Sequence, residues 1–397
     1  MPELLPDADV SIIAQSLKTG RRQTLVAGAS QPHYVATGYL LFVQPKLPAT
    51  ILAVAFAADR LKMTGTPVPI VEQVFTNRGD SLHWGVSRSG MLVYAPGGLQ
   101  QPARSLVLVD RSGAAKQFGT PERRPYSFPR LSPDGKQAIV TLQGMQSSIW
   151  KYDRESSAFN RLTLEGNSSW PIWHPDGKRV TYASNRAEPW RLYLRPVDGS
   201  AGDEKLLDDG KGDNEPLTWS PDGNVLLYLD STAETRQDIW MLQMDDRRHS
   251  VVIRTPGSDM DARISPDGRW LAYASDETGR FEVYVVPFPG AQSKLQISTD
   301  GGREPVWAHN GHELFFRHDA QMLSVQVTTQ PTFTHTAAKT LFRGTYVATG
   351  TSNAEFDVTP DDRYFLMIQR AEDSYAPAEF SVVLNWFEEL KRRVPSR

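Results

Sequence analysis

One feature constrains this chain more than any other, a turn signature that returns at a blade-like period. An apolar residue or Trp is followed by Ser-Pro-Asp-Gly and then by an alternating apolar run. It reads Leu131-Ser-Pro-Asp-Gly135, Trp173-His-Pro-Asp-Gly177, Trp219-Ser-Pro-Asp-Gly223 and Ile264-Ser-Pro-Asp-Gly268. Weaker copies flank these: Trp307-Ala-His-Asn-Gly311, Val358-Thr-Pro-Asp-Asp362, Val86-Ser-Arg-Ser-Gly90 and Val35-Ala-Thr-Gly38. The turns close at 38, 90, 135, 177, 223, 268, 311 and 362, at intervals of 42 to 52 residues. A four-stranded propeller blade takes about 40–45 residues. Asp-Gly between apolar runs signals a hairpin, because a tight primed turn needs positive φ. Pro ahead of it ends a strand and offers no N–H to the ladder.

Each turn is followed by a period-2 strand, as in Gln137–Thr141, Arg179–Ala183, Val225–Leu229, Trp270–Ala274, Glu313–Arg317 and Tyr364–Ile368. A third strand follows, for example Ile149–Tyr152 or Ile239–Leu242, and then a shorter fourth. One blade cannot bury both its faces, so blades must stack. The recurring Trp and Tyr read as inter-blade packing, with the indole N–H on a backbone acceptor. The expected fold is therefore all-β: a single β-propeller of four-stranded antiparallel blades, eight in number with seven as the alternative, and a short C-terminal helix. The blades fall near 30–76, 82–120, 126–164, 168–208, 214–254, 259–298, 302–343 and 353–386. Residues 1–10 read as a tail, the propeller as 11–386 with strands in 11–28 closing the ring, and 387–397 as helix and tail. Glu388 with Arg392 and Glu389 with Arg393 sit at i, i+4 spacing and support that helix; Pro395 ends it.

Composition removes several function classes. Lys plus Arg number 43 against 46 Asp plus Glu, a net charge of −3, so a nucleic-acid binder is not indicated. Cysteine is absent, which removes disulfides, thiolate metal sites and Cys nucleophiles. Met1–Asp9 has no basic or apolar region of a signal peptide. The apolar runs are too short for a membrane helix, so no membrane insertion by this chain is expected.

The Ser-Pro-Asp-Gly repeats resemble the WD40-like propeller repeats of the TolB family. Tyr39-Leu-Leu-Phe-Val43, Leu61-Lys-Met-Thr-Gly-Thr-Pro-Val-Pro69 and Val383-Leu-Asn-Trp-Phe-Glu-Glu-Leu-Lys391 resemble the C-terminal propeller region of acidobacterial-type serine/threonine protein kinases. That second resemblance implies a sensor propeller, extracytoplasmic or periplasmic, without a catalytic residue of its own. The kinase motifs themselves are missing: no glycine-rich phosphate loop, His-Arg-Asp or Asp-Phe-Gly occurs.

Other motifs carry little. Gly85-Val-Ser-Arg-Ser89 lacks the second Gly of a nucleophile elbow. His309 and His312 flank a turn and lack helical metal-ligand spacing. One constellation remains. Propellers bind ligands where their innermost strands begin, at the mouth of the channel. The position five before the signature Pro gives Gln31, His83, Phe128, Trp170, Pro216, Asp261, Glu304 and Glu355, with Glu215 adjacent. In a closed ring this predicts an acidic arc facing an aromatic wall of Phe128 and Trp170. Such a mouth suits a cation, a protein or peptide segment, or a small sugar-like ligand stacked on Trp170. Crowded carboxylates there should raise at least one pKa. The bland reading is that these residues cap backbone groups at the rim. The reading carried forward is a non-catalytic, monomeric binding propeller. The alternatives are a metal-dependent lyase- or lactonase-type enzyme, with a divalent metal on His83, Asp261, Glu304 and Glu355, and an assembly scaffold.

Overall fold

A computed structural model of the chain describes residues 11–44, 49–75, 83–96, 104–119, 122–144, 146–187, 189–207, 212–231, 236–290, 293–348, 350–370 and 379–394. The tails expected at 1–10 and beyond 394 lie outside them. The chain divides into two compact units, Pro102–Glu372 and Met1–Gln101 with Asp373–Arg397.

Among its described residues the larger unit forms six antiparallel sheets, each ordered from an innermost strand outward. The innermost strands are Tyr126–Leu131 (blade 1), Ser168–Trp173 (blade 2), Asp213–Trp219 (blade 3), Asp259–Ile264 (blade 4), Arg303–Trp307 (blade 5) and Phe356–Val358 (blade 6). Blades 1 to 4 are four-strand meanders. In blade 5, Lys339–Arg343 adds a fifth strand against Gln321–Thr328.

The strands are apolar on both faces because a blade lies on each side. In Val225–Ser231, Leu226 and Tyr228 pack towards blade 2 while Leu227 and Leu229 pack towards blade 4. An apolar cluster of this kind fills all six junctions of the ring, including those between blades 5 and 6 and between blades 6 and 1. Fully burying one such Leu contributes about 1.5–3 kcal/mol. Each blade of the ring thus has both faces packed against a neighbouring blade.

Closure differs from the sequence expectation. Blade 6 takes Phe356–Val358 and Tyr364–Arg370 from the end of the unit and Arg104–Asp110 and Ala115–Gln117 from its start. Arg104–Asp110 pairs with Tyr364–Arg370 over seven residues, in register Arg104 with Arg370. Residues 11–28 do not complete that blade; Ser11–Gln15 and Arg22–Ala27 pair with each other. The expected blade 82–120 is divided between two sheets, and 353–386 likewise. Local alternation fits Arg104–Asp110 to either partner, and only long-range pairing decides.

The signature turns are four-residue loops, wider than the primed turns expected. Gly135 has φ 69 and its N–H reaches Ser132 O at 2.7 Å, while Ser132 N–H reaches Gln137 O. The Ser132 hydroxyl donates to Asp134 at 2.6 Å and accepts the Gln137 N–H at 2.9 Å. Ser220 with Asp222 and Thr359 with Asp361 repeat this. These hydroxyl bonds hold the three Asp carboxyls below their ordinary range.

The smaller unit holds a five-stranded sheet (Ser30–Val35, Tyr39–Gln44, Thr50–Ala57, Lys62–Met63, Val68–Val71) and a three-stranded sheet in which Leu92–Tyr94 lies between Trp84–Val86 and Ser381–Val383. Helix Trp386–Arg393 buries Trp386 and Leu390 against Leu41, Ile51 and Ile70. Glu389 pairs with Arg393 as expected, whereas Glu388 meets Lys391 in place of Arg392. Among the described residues no helix is long and apolar enough to cross a membrane.

Candidate functional site

The register read from the turn signature marks a real backbone feature. Phe128, Trp170, Asp261 and Glu304 all sit at left-handed φ of 52 to 58. Each is the first residue of a β-bulge in its innermost strand; Ser127 pairs with Thr141 and Arg130 with Ile139, so Phe128 and Pro129 oppose one residue. The same bulge recurs in the other three. Left-handed backbone costs non-glycine residues about 1–3 kcal/mol, so the surroundings must hold it. Blade 3 carries Pro216 here, whose ring excludes positive φ, and its bulge falls one residue later. Gln31 shares the bulge, at φ 51, within the smaller unit. There its amide accepts the Trp84 indole N–H at 2.8 Å. His83 also belongs to that unit, with its ring 5.2 Å from Phe75. The larger unit therefore holds Phe128, Trp170, Glu215, Asp261, Glu304 and Glu355, and the smaller unit holds Gln31 and His83.

The acidic arc exists, and its carboxylates are turned sideways into the ring. Asp261 accepts the Glu304 N–H at 3.2 Å, Glu304 accepts the Glu355 N–H at 3.2 Å, and Glu355 accepts the Phe128 N–H at 2.8 Å. Each carboxylate thus binds the bulge, or its counterpart, of the next blade. Asp261, Glu304 and Glu355 are all buried. Glu304 also lies 3.5 Å from Arg317, and Asp261 lies 3.7 Å from Arg303. Burial pushes the Asp261 carboxyl up to about 6; Arg303 opposes the shift and Glu304 adds to it. Among the described residues no three His, Asp or Glu side chains are grouped to hold a metal ion.

A second layer escaped the sequence reading. Three positions before the signature Pro stand Arg130, Ile172, Thr218, Arg263, Val306 and Asp357. Arg130 donates to Pro129 O and Ala354 O, both at 2.8 Å, and Arg263 to Leu217 O. Burial pulls the Arg263 guanidinium down to about 9, with Arg130 adding repulsion. Asp357 accepts the Leu131 N–H at 2.7 Å. The same alignment, shifted by two residues, exposes this layer in the sequence.

The aromatic wall is built differently. Phe128 and Trp170 are 5.9 Å apart, and Trp190 stands edge-on to Trp170 at 5.0 Å. Trp170 is half-buried, and its indole N–H is without an acceptor among the described residues. The signature tryptophans do what the sequence suggested. Trp173 donates to Arg130 O at 3.2 Å and Trp307 to Arg263 O at 2.9 Å, each in the preceding blade. Trp219 uses the Thr181 hydroxyl at 3.1 Å instead of a backbone oxygen.

No protein-family model matches the chain. Over 200 residues it is 24% identical to an uncharacterized protein of Agrobacterium fabrum, covering 47% of this chain and 67% of that one. Over 115 residues it is 32% identical to the Tol-Pal system protein TolB of Anaeromyxobacter dehalogenans, covering 29% and 26%. Over 194 residues it is 30% identical to the uncharacterized peptidase YuxL of Bacillus subtilis, covering 38% and 29%. The chain thus spans under a third of the length of the latter two. Among solved structures, a TolB candidate from Agrobacterium tumefaciens superposes with a TM-score of 0.54 at 18% identity, covering 68% of this chain and 99% of that one. Repeat, sheet order and superposition agree: the chain carries a β-propeller, and its repeats are similar to those of TolB.

Proposed function

We propose that the larger unit is a non-catalytic binding module that holds a segment of a protein partner at the mouth where its innermost strands begin. The observation that carries this reading is Trp170. A bulky residue in left-handed backbone is strained, and a buried indole N–H without an acceptor costs about 1–3 kcal/mol. Trp170 keeps both costs while leaving part of its ring accessible beside Phe128 and Trp190. Half-exposed aromatic rings on a rigid frame supply large contact area at low entropic cost, as binding surfaces require. The acidic half of the mouth offers less, since Asp261, Glu304 and Glu355 are buried and bound to backbone N–H groups. The similarity of the repeats to the Tol-Pal system protein TolB of Anaeromyxobacter dehalogenans supports a protein partner over a small sugar.

The test is selection of a displayed random decapeptide library on the chain and, in parallel, on Trp170→Ala. A family of related peptides should emerge on the parent and bind at least tenfold more weakly to the variant. Peptides that bind both equally, or no enrichment on the parent, would remove Trp170 and this mouth from the account.

A further inference from the structure

Between neighbouring blades the connector from outermost to next innermost strand is short. Five to eight residues suffice from Arg161 to Ser168, Lys205 to Asp213, Ile253 to Asp259, Gln296 to Arg303 and Gln117 to Tyr126. From Arg343 to Phe356 there are twelve, and eleven of them precede Glu355, which already stands at the bulge register of the innermost strands. Blades 5 and 6 are neighbours like the rest, so the extra length is not needed to join them.

It is spent crossing the mouth. Arg303 of blade 5 donates to Gly350 O at 2.8 Å and to Thr351 O at 3.2 Å. The Asp261 N–H of blade 4 donates to Ser352 O at 3.1 Å. In blade 3, Glu215 accepts the Ser352 hydroxyl, and Pro216 O accepts the Asn353 amide at 3.3 Å. Arg130 of blade 1 donates to Ala354 O at 2.8 Å. Blade 3 stands diametrically opposite blade 6 in a ring of six. A segment that enters blade 6 yet binds Glu215 and Pro216 must therefore pass over the channel axis. Ser352, Asn353 and Ala354 are buried at 3%, 1% and 2% exposure. The segment has no regular structure of its own, and the carbonyls of Gly350, Thr351, Ser352 and Ala354 accept from Arg303, Asp261 and Arg130 of other blades. A bound peptide would be held in just this manner.

We infer that Gly350–Ala354 is an internal occupant of the mouth, and that a partner's segment binds by exchanging with it. The inference rests on the binding reading above and adds the partner's chemistry. The cradle offers guanidinium donors from Arg130 and Arg303 to peptide carbonyls. It offers the Glu215 carboxylate and Pro216 O to a small hydroxyl- or amide-bearing pair such as Ser-Asn. The incoming segment is therefore a short, small-residue polar stretch without bulky side chains at those two positions. A tethered competitor acts at an effective concentration in the millimolar range, and the apparent affinity for an outside peptide falls by the fraction of molecules that are open.

The probe is a fluorescein-labelled peptide with the segment's own sequence, Gly-Thr-Ser-Asn-Ala-Glu-Phe. Its binding is compared on the parent chain and on S352A/N353A, with urea midpoints confirming that both are folded. The double variant weakens the internal occupant and leaves the cradle whole, so it should bind the probe at least tenfold more tightly. Adding Glu215→Ala to that variant should abolish the gain, which general loosening would not predict. Equal affinity for parent and S352A/N353A, or a gain that survives Glu215→Ala, would overturn the exchange. Library peptides that depend on Trp170 would in that case still uphold the binding reading, so the two fail separately.

Discussion

Two halves of one mouth use one backbone position in opposite ways. In blades 4, 5 and 6 the position carries Asp261, Glu304 and Glu355; in blades 1 and 2 it carries Phe128 and Trp170. Four of the five share the left-handed bulge. The carboxylates are buried and each accepts the N–H of the following blade, so the acidic half is a set of inter-blade staples. The aromatic half makes ring contacts only, and Trp170 keeps an accessible face. The lesson is that a shared register sets where a side chain begins, while its hydrogen-bonding capacity decides whether the fold consumes it. An acceptor beside an unsatisfied N–H is drawn into the frame. An aromatic ring has nothing there to accept: Phe128 is buried by packing alone, and Trp170 keeps part of its surface accessible.

The largest expected effect breaks the acidic half. Glu304→Ala removes the acceptor of the Glu355 N–H and leaves Arg317 buried without its partner carboxylate. Breaking a buried charge pair costs about 3–5 kcal/mol, and urea unfolding should show a loss of that order. Trp170→Ala, at the matching position, should move the urea midpoint far less while weakening peptide capture at least tenfold. If Glu304→Ala left stability intact and weakened capture, the halves would have to exchange roles.

A smaller effect sharpens the comparison through pH. The Asp261 carboxyl is raised from 3.8 to about 6 by burial. The folded state therefore binds the proton more tightly than the unfolded chain. The stability this confers is fully present below pH 3.8 and is lost as pH rises through 6. Asp261→Asn keeps an oxygen for the Glu304 N–H and carries no charge to desolvate. It should be more stable than the parent at pH 7–8, by up to about 3 kcal/mol at 1.36 kcal/mol per pKa unit, and indistinguishable from it near pH 4. Melting curves across that range decide it. A parent that gains on the variant with rising pH would show that the ionised carboxylate is net stabilising.

Much of this was legible in the sequence, and the reasons are local. The Ser-Pro-Asp-Gly turns and the strands after them are short-range patterns, so Gln137–Leu142, Val225–Ser231 and Tyr364–Arg370 were found to within two residues. Counting back from the turn Pro even located the bulges, because strand length is fixed between turn and bulge. What the bulge side chains do was not legible, since their acceptors and donors come from the next blade. Closure was hidden for the same reason: Arg104–Asp110 looks like any third strand, and its partner lies more than 250 residues away in sequence. The segment Gly350–Ala354 carries no periodicity at all, and its meaning comes wholly from the four blades it touches.

The central claim is that three backbone amides are tied down by three carboxylates of neighbouring blades. Native-state hydrogen exchange of Glu304, Glu355 and Phe128 tests it most directly. Their amides should exchange only through global opening, and Glu304→Gln or Asp261→Asn should leave that protection in place. Replacing the acceptor by Ala should release the amide it held, Glu304 for Asp261→Ala and Glu355 for Glu304→Ala, ahead of the rest of its blade. Exchange of these amides at the rate of surface loops in the parent chain, or protection unchanged after the acceptor is removed, would contradict the account.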